Sequence, residues 1–240
     1  MFTKCTKELS YLIASAIITI ALGFCIPFRM AIAQGLPPGQ LPTLTGEWWQ
    51  WALSIPTSVN PQLDTTGANC MVGQRGTIWF LAGVFGGGSA TRACSVPENS
   101  TLFFPVSNAV NIDTPNVCGQ GPEHLTVKTL RGLSKSTIDS VTNLSLTVDG
   151  NPINKTLLQR VQSQIFEVAL PEDNVFDKPC MDAGLGNVPT GIYSPAVDDG
   201  YYASLEPLKS GNHTIHIHAE GGGGSQDVTY NLTVFPVSLK

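Results

Sequence analysis

Charge is scarce in this chain: Asp, Glu, Lys and Arg make up 13% of the 240 residues, and the basic side chains are outnumbered 13 to 18. No basic cluster exists from which a phosphate backbone or an anionic membrane surface would draw affinity, so nucleic acid is set aside as a partner. The motifs of several chemistries are also missing. No two cysteines stand at C-x-x-C spacing, which argues against a zinc knuckle, and "GGGSA" around Ser89 lacks the final glycine of a hydrolase nucleophile elbow. No EF-hand spacing occurs. The glycine run "EGGGGS" has neither a lysine nor a following helical pattern, so it reads as a hairpin loop and not as a phosphate cradle. There is no internal repeat.

The N-terminus carries the longest apolar run. Lys4 and Lys7 precede "YLIASAIITIALGFCI", which ends at Pro27 and is followed by Ala31 and Ala33 in a small-x-small pattern. The run falls short of the ~20 residues of a comfortable membrane span. The pattern predicts a secretory signal over residues 1–33, cut after Ala33, with no membrane span left after cleavage. Bulky Phe24 before Cys25 argues against a lipoprotein site. Removing Lys4, Lys7, Arg29 and Glu8 leaves 10 basic against 17 acidic side chains, so the mature chain is more acidic than the whole. The expected location is secreted, periplasmic or at the cell surface.

Cys70, Cys94, Cys118 and Cys180 remain, and four cysteines in an exported chain read as disulfides. Three connectivities are possible; pairing in sequence order closes the shortest loops and is the expected one. Residues 34–44 read as an extended tether and 45–240 as a single β-rich domain. Thr45 is placed to cap a short helix in which Trp48, Trp51, Ala52 and Ile55 share a face, with Pro56 closing it. Trp49 lies off that face and is a candidate exposed aromatic platform for a ligand. A second helix is predicted where Val127, Leu130, Leu133, Ile138 and Val141 gather on one side.

The rest reads as strands and turns. "GTIWFLAGVFGGG" suits a strand buried on both faces, "TLFFPV" a strand whose Pro105 marks an edge or a bulge, and "LSLTVDGNPI" a strand running into an Asp149-Gly150 turn. "IFEVAL" alternates at Phe166, Val168 and Leu170. The stretch from Asn174 to Gly200 reads as a long irregular loop holding Cys180, with ordinary turn chemistry at "PEDN" and "VDDG". The predicted fold is mainly β: an antiparallel β-sandwich, jelly-roll or immunoglobulin-like, with one or two helical insertions and disulfides.

Three of the four histidines fall in "HTIHIH". Strand alternation puts Ile215, Ile217 and Ala219 on one face and His216, His218 and Glu220 on the other, with His213 out of phase. His216, His218 and Glu220 could therefore ligate zinc or copper, with His124 or a loop acid as a fourth ligand; the competing reading is a solvated sheet face. Glu172, Asp173, Asp177, Asp182, Asp198 and Asp199 are less suited candidates for calcium, and paired acids with Trp49 could serve carbohydrate binding or hydrolysis. Sequons at Asn99, Asn143, Asn154, Asn212 and Asn231 would matter in a eukaryotic secretory pathway only.

Through "GEWWQWALSIPTSVNPQLDTTGANC", "GQRGTIWFLAG", "RACSVPENSTLFFPVSN" and "GNHTIHIHAEG", the chain resembles a group of exported prokaryotic proteins usually labelled only as hypothetical. The resemblance implies a secreted or envelope β-rich domain and carries over no catalytic residue. The leading expectation is a binding or structural module facing an envelope or extracellular ligand. A metal-dependent enzyme and a carbohydrate-active protein are the alternatives.

Overall fold

A computed structural model describes Leu36 and residues 39–237; the expected signal segment lies outside these residues. Helix α1, Leu41–Leu53, begins four residues before the predicted cap. Pro42 sits in its first turn, where a missing N–H costs nothing. Thr45 is fully buried within the helix, its hydroxyl turned 3.4 Å from the Pro42 carbonyl. Helix therefore replaces the last residues of the expected tether, because Leu41 and Leu44 join the tryptophans in an apolar stripe.

Ten strands and two further helices follow: β1 (Ile78–Phe80), β2 (Gly88–Pro97), β3 (Thr101–Ile112), α2 (Val127–Asp139), β4 (Asn143–Val148), β5 (Asn151–Pro152), β6 (Leu158–Gln162), β7 (Phe166–Leu170), α3 (Asp177–Asp182), β8 (Gly191–Leu205), β9 (Gly211–Gly221) and β10 (Gly224–Phe235). They form two sheets. The first runs β1-β3-β8-β6, with β7 also pairing to β8; the second runs β2-β10-β9-β4-β5. The protein is mainly β, but the sandwich is mixed, not wholly antiparallel as alternation had suggested. β1 pairs with β3 and β2 with β10 in parallel, because the chain crosses between sheets from β1 to β2 and back to β3, so that β3 returns beside β1 running the same way.

The core has two parts on either side of the first sheet. Leu102, Phe104 and Val106 face Ile215, Ile217, Val228 and Leu232 across the space between the sheets. Phe103, Val168 and Tyr202 face the other way, onto Trp48, Trp51 and Leu53 of α1. Sheet one is thus dry on both sides, which explains its continuous apolar runs. α2 covers the end of its inner face, with Leu130 and Ile138 buried; Leu133, expected in that stripe, is 47% exposed. Disulfides join Cys70 to Cys94 and Cys118 to Cys180, with Cα separations of 5.9 and 5.4 Å. No helix among the described residues is long and apolar enough to cross a membrane.

Two readings of local sequence give way to tertiary contacts. The run "GTIWFLAGVFGGG" contributes a strand of only three residues, after which Leu81 and Ala82 are buried as loop. "VDDG" is no turn: Asp198, Asp199 and Gly200 lie in the middle of β8, and both acids are 1% exposed. Asp199 takes two hydrogen bonds from Arg160, at 3.0 and 3.1 Å, and one from Gln162 at 3.0 Å. Gly200 is required by crowding, since a Cβ there would lie 2.6 Å from the Asn108 Cβ and 2.8 Å from the Tyr202 ring.

Candidate functional site

The histidine strand forms as alternation requires. Ile215, Ile217 and Ala219 are buried, while His216, His218 and Glu220 stand on the outer face of sheet two. Asp227 of β10, which sequence reading had not included, sits between the two imidazoles. Its carboxylate lies 3.1 Å from His216 Nε2 and 3.1 Å from His218 Nδ1, and the Glu220 carboxylate is 3.3 Å from His218 Nε2. The hydrogen bond from His216, and after it that from His218, hold the Asp227 carboxyl below its ordinary range against partial burial. Across the strands, Thr147 and Thr229 flank His216, and Ser145 and Asp227 flank His218. The face is wet and polar, and among the described residues no group of three or more His, Cys, Asp or Glu side chains is disposed to hold a metal ion. His213 pairs instead with Asp149 at 2.8 Å and His124 with Asp113, so neither reaches the pair.

The calcium candidates also scatter. Asp177 accepts the backbone N–H of Asn174 and of Val188, at 3.0 and 2.8 Å; Asp182 pairs with Lys178; Asp173 takes the Thr57 hydroxyl. These three are engaged by partners within the fold.

Trp49 is 5% exposed and so is no open platform. Its indole N–H donates to the Asp198 carboxyl at 2.7 Å, the Tyr202 hydroxyl donates to the same carboxyl at 2.9 Å, and Asn108 donates to the Tyr202 oxygen at 3.0 Å. Burial pushes the Asp198 carboxyl well above the ordinary carboxylate range, and neighbouring Asp199 adds to the shift. This buried chain fixes two side chains, Trp49 and Asn108, that belong to the wall of a cleft.

The cleft, about 260 Å³, lies beside β3 past the end of β1. One wall is β3 from Ser107 to Val110, and the opposite wall is made by two glycine turns, Gly86-Gly87 and Gly222-Gly223. Glycine is obligatory at both turns: Gly87 has φ +87° and a Cβ would lie 2.7 Å from the Ser225 carbonyl oxygen, and at Gly221, φ +85°, a Cβ would meet the Ser140 carbonyl at 2.2 Å. Phe85 and Phe176, edge to face with centroids 5.5 Å apart, close one end. No charged side chain lines the space.

Two glutamines in this cleft are treated differently. Gln226 is satisfied at both ends, its oxygen accepting the Val84 N–H at 3.3 Å and its nitrogen donating to the Val106 carbonyl. Gln62 is 4% exposed, and its side-chain oxygen is buried without a partner. Among the described residues Trp79 Nε1 and Ser204 Oγ share that condition, but neither borders the cleft. A buried acceptor left open costs free energy, and this one belongs to a side chain of the cleft wall. Two roomier hollows near α1, of 400 and 440 Å³, have charged walls and no such group.

The loop behind the cleft is braced by Arg92, a guanidinium 1% exposed between the sheets. It donates to the carbonyls of Asp64, Ala82 and Gly83 at 2.7, 2.5 and 3.0 Å and to the Tyr230 hydroxyl at 2.6 Å. Alternation in "ATRACSV" puts Arg92 with Ala90, Cys94 and Val96 on the inward face, a signal visible in the sequence that singled out no function there. No protein-family model and no curated protein matches the chain.

Proposed function

We propose that this protein is a binding module of the cell envelope or its surroundings that takes an uncharged ligand in the cleft beside β3. The observation that carries the reading is the partnerless Gln62 oxygen in a cleft without charged side chains. The wall offers hydrogen-bonding groups and aromatic edges but no His, Cys, Asp, Glu or Lys that could act as acid, base or nucleophile there. An oxidising, extracytoplasmic location is supported by the N-terminal signal pattern together with two disulfides in the described fold.

The test is an NMR titration of isotope-labelled protein with three probes: a neutral trisaccharide, a capped uncharged peptide and a tricarboxylate. Shifts at Gln62, Asn108 and Gly222 with a neutral probe, absent in Gln62→Met, are expected. Shifts confined to the histidine face of sheet two, or with the tricarboxylate alone, would overturn the reading.

A further inference from the structure

We propose that the cleft takes its ligand as an added β-strand: an extended, uncharged polypeptide segment hydrogen-bonded through its main chain to Asn108 and Val110 of β3. The proposal rests on the cleft being the ligand site and names the ligand's class. β1 stops at Phe80, opposite Phe103, so β3 has no neighbouring strand on that side beyond its bulge at 105–107.

The register decides which groups point there. Asp113 donates its N–H to the Pro195 carbonyl at 2.9 Å, making these two a hydrogen-bonded pair of the antiparallel ladder. The two-residue period then turns positions 111 and 109 toward β8, and Asn108 and Val110 away from it. The far side of β8 agrees: Asp198, opposite Val110, donates its N–H to the Ser163 hydroxyl at 2.8 Å and accepts the Ser163 N–H at 3.0 Å, both away from β3. Asn108 and Val110 therefore aim N–H and C=O into the cleft, and no loop backbone among the described residues takes them up.

Native proteins protect such an edge with lysine, proline or a covering loop. Here residues 107–112, "SNAVNI", carry no charge and no proline, and the facing turn is glycine. Two outward residues separated by one inward residue repeat at the spacing of an extended chain, which is how strand addition gains its affinity. Gln62 and the aromatic pair Phe85 and Phe176 line the same space, where they would meet side chains of the incoming segment.

The experiment uses the whole chain and a panel of capped, uncharged pentapeptides of alternating Thr and Val, Ser and Ile, or Asn and Leu. Each is paired with two analogues N-methylated at alternate peptide nitrogens. Binding is read by amide shifts and by hydrogen exchange at Asn108 and Val110. One analogue set should bind about tenfold more weakly or worse and the other close to the parent, because only one set of nitrogens faces β3. Val110→Pro, which removes the outward donor, should lose binding as well, while Val110→Ala should retain it. Equal binding by both analogue sets would overturn strand addition. Cleft shifts with the neutral trisaccharide and none with any peptide would overturn it too, while leaving the cleft as the ligand site. No shift at the cleft with any probe would bring down both.

Discussion

Gln62→Met should make this protein more stable and less able to bind. The substitution keeps side-chain length and volume, and the two hydrogen bonds made by the Gln62 backbone, to the Asn60 side chain at 2.9 Å and from the Phe85 N–H at 3.2 Å, do not depend on the side chain. What changes is the amide. Its oxygen is buried without a partner, a condition that costs about 1–3 kcal/mol in other proteins. An apolar group of the same shape removes that cost, so a gain of about 1–2 kcal/mol is expected, or roughly 2–5 °C in melting temperature for a domain of this size. Urea unfolding with the disulfides intact should show a higher midpoint at unchanged slope. Gln226→Met, in the same cleft, is the internal control: it strips partners from the Val84 N–H and the Val106 carbonyl and should cost about 1–3 kcal/mol. Two glutamines that line one cleft would then move in opposite directions under the same substitution. A Gln62→Met variant destabilised as much as Gln226→Met would refute the reasoning, because the Gln62 oxygen would then be holding something in the free protein.

Other substitutions test the framework around the cleft. Arg92→Met leaves the Asp64 and Gly83 carbonyls without their donor and takes from the Ala82 carbonyl one of its two, the Tyr230 hydroxyl remaining, and should cost about 3 kcal/mol by urea unfolding; a loss under about 1 kcal/mol would show that the guanidinium is not what braces that loop. Asp198→Asn should stabilise the protein at neutral pH. The buried carboxyl has its folded-state pKa raised above the unfolded value, so stability is fullest below about pH 4 and falls as pH rises from there toward the folded pKa, by up to about 1.4 kcal/mol per pH unit. The variant's advantage should therefore shrink on acidification, and an advantage independent of pH would contradict the burial argument. Gly200→Ala should lose about 1–3 kcal/mol through its clash with Asn108 and Tyr202, visible as a lowered melting temperature. The double variant His216→Ala, His218→Ala should stay within about 1 kcal/mol of the parent, since the contacts of the two imidazoles with Asp227 and Glu220 are partly exposed; a loss as large as a core truncation would place the histidines inside the fold.

The sequence was most legible where one face is wet and the other dry. β9 and β10 alternate cleanly because only one side of sheet two is covered, and the Asp149-Gly150 turn, with φ of +51° and +75°, announced itself by residue type. β8 was illegible for the opposite reason. Asp198, Asp199 and Gly200 contradict strand propensity, and each is there for a partner distant in sequence: Trp49, Arg160 and the crowding Asn108. Trp49, expected to be exposed, is buried, since periodicity tells which face a residue leaves but not what meets it there. The cleft could not be read at all. It exists because an apolar run long enough for a full strand pairs for three residues and then leaves β3 uncovered, an outcome of how loop 81–87 packs on Arg92 and Gln226.

That brace also bears on the kinetics of ligand capture. Swinging the 81–84 loop outward would strip a buried cation of its carbonyl acceptors, so opening the cleft by loop motion is far costlier than thermal energy supplies. The protein has little to rearrange, and the entropy of ordering falls on the incoming segment. Association should then be a single exponential whose rate rises linearly with ligand concentration, near 10⁵–10⁷ M⁻¹s⁻¹ as for docking on a preformed patch, with differences between ligands residing in how slowly they leave.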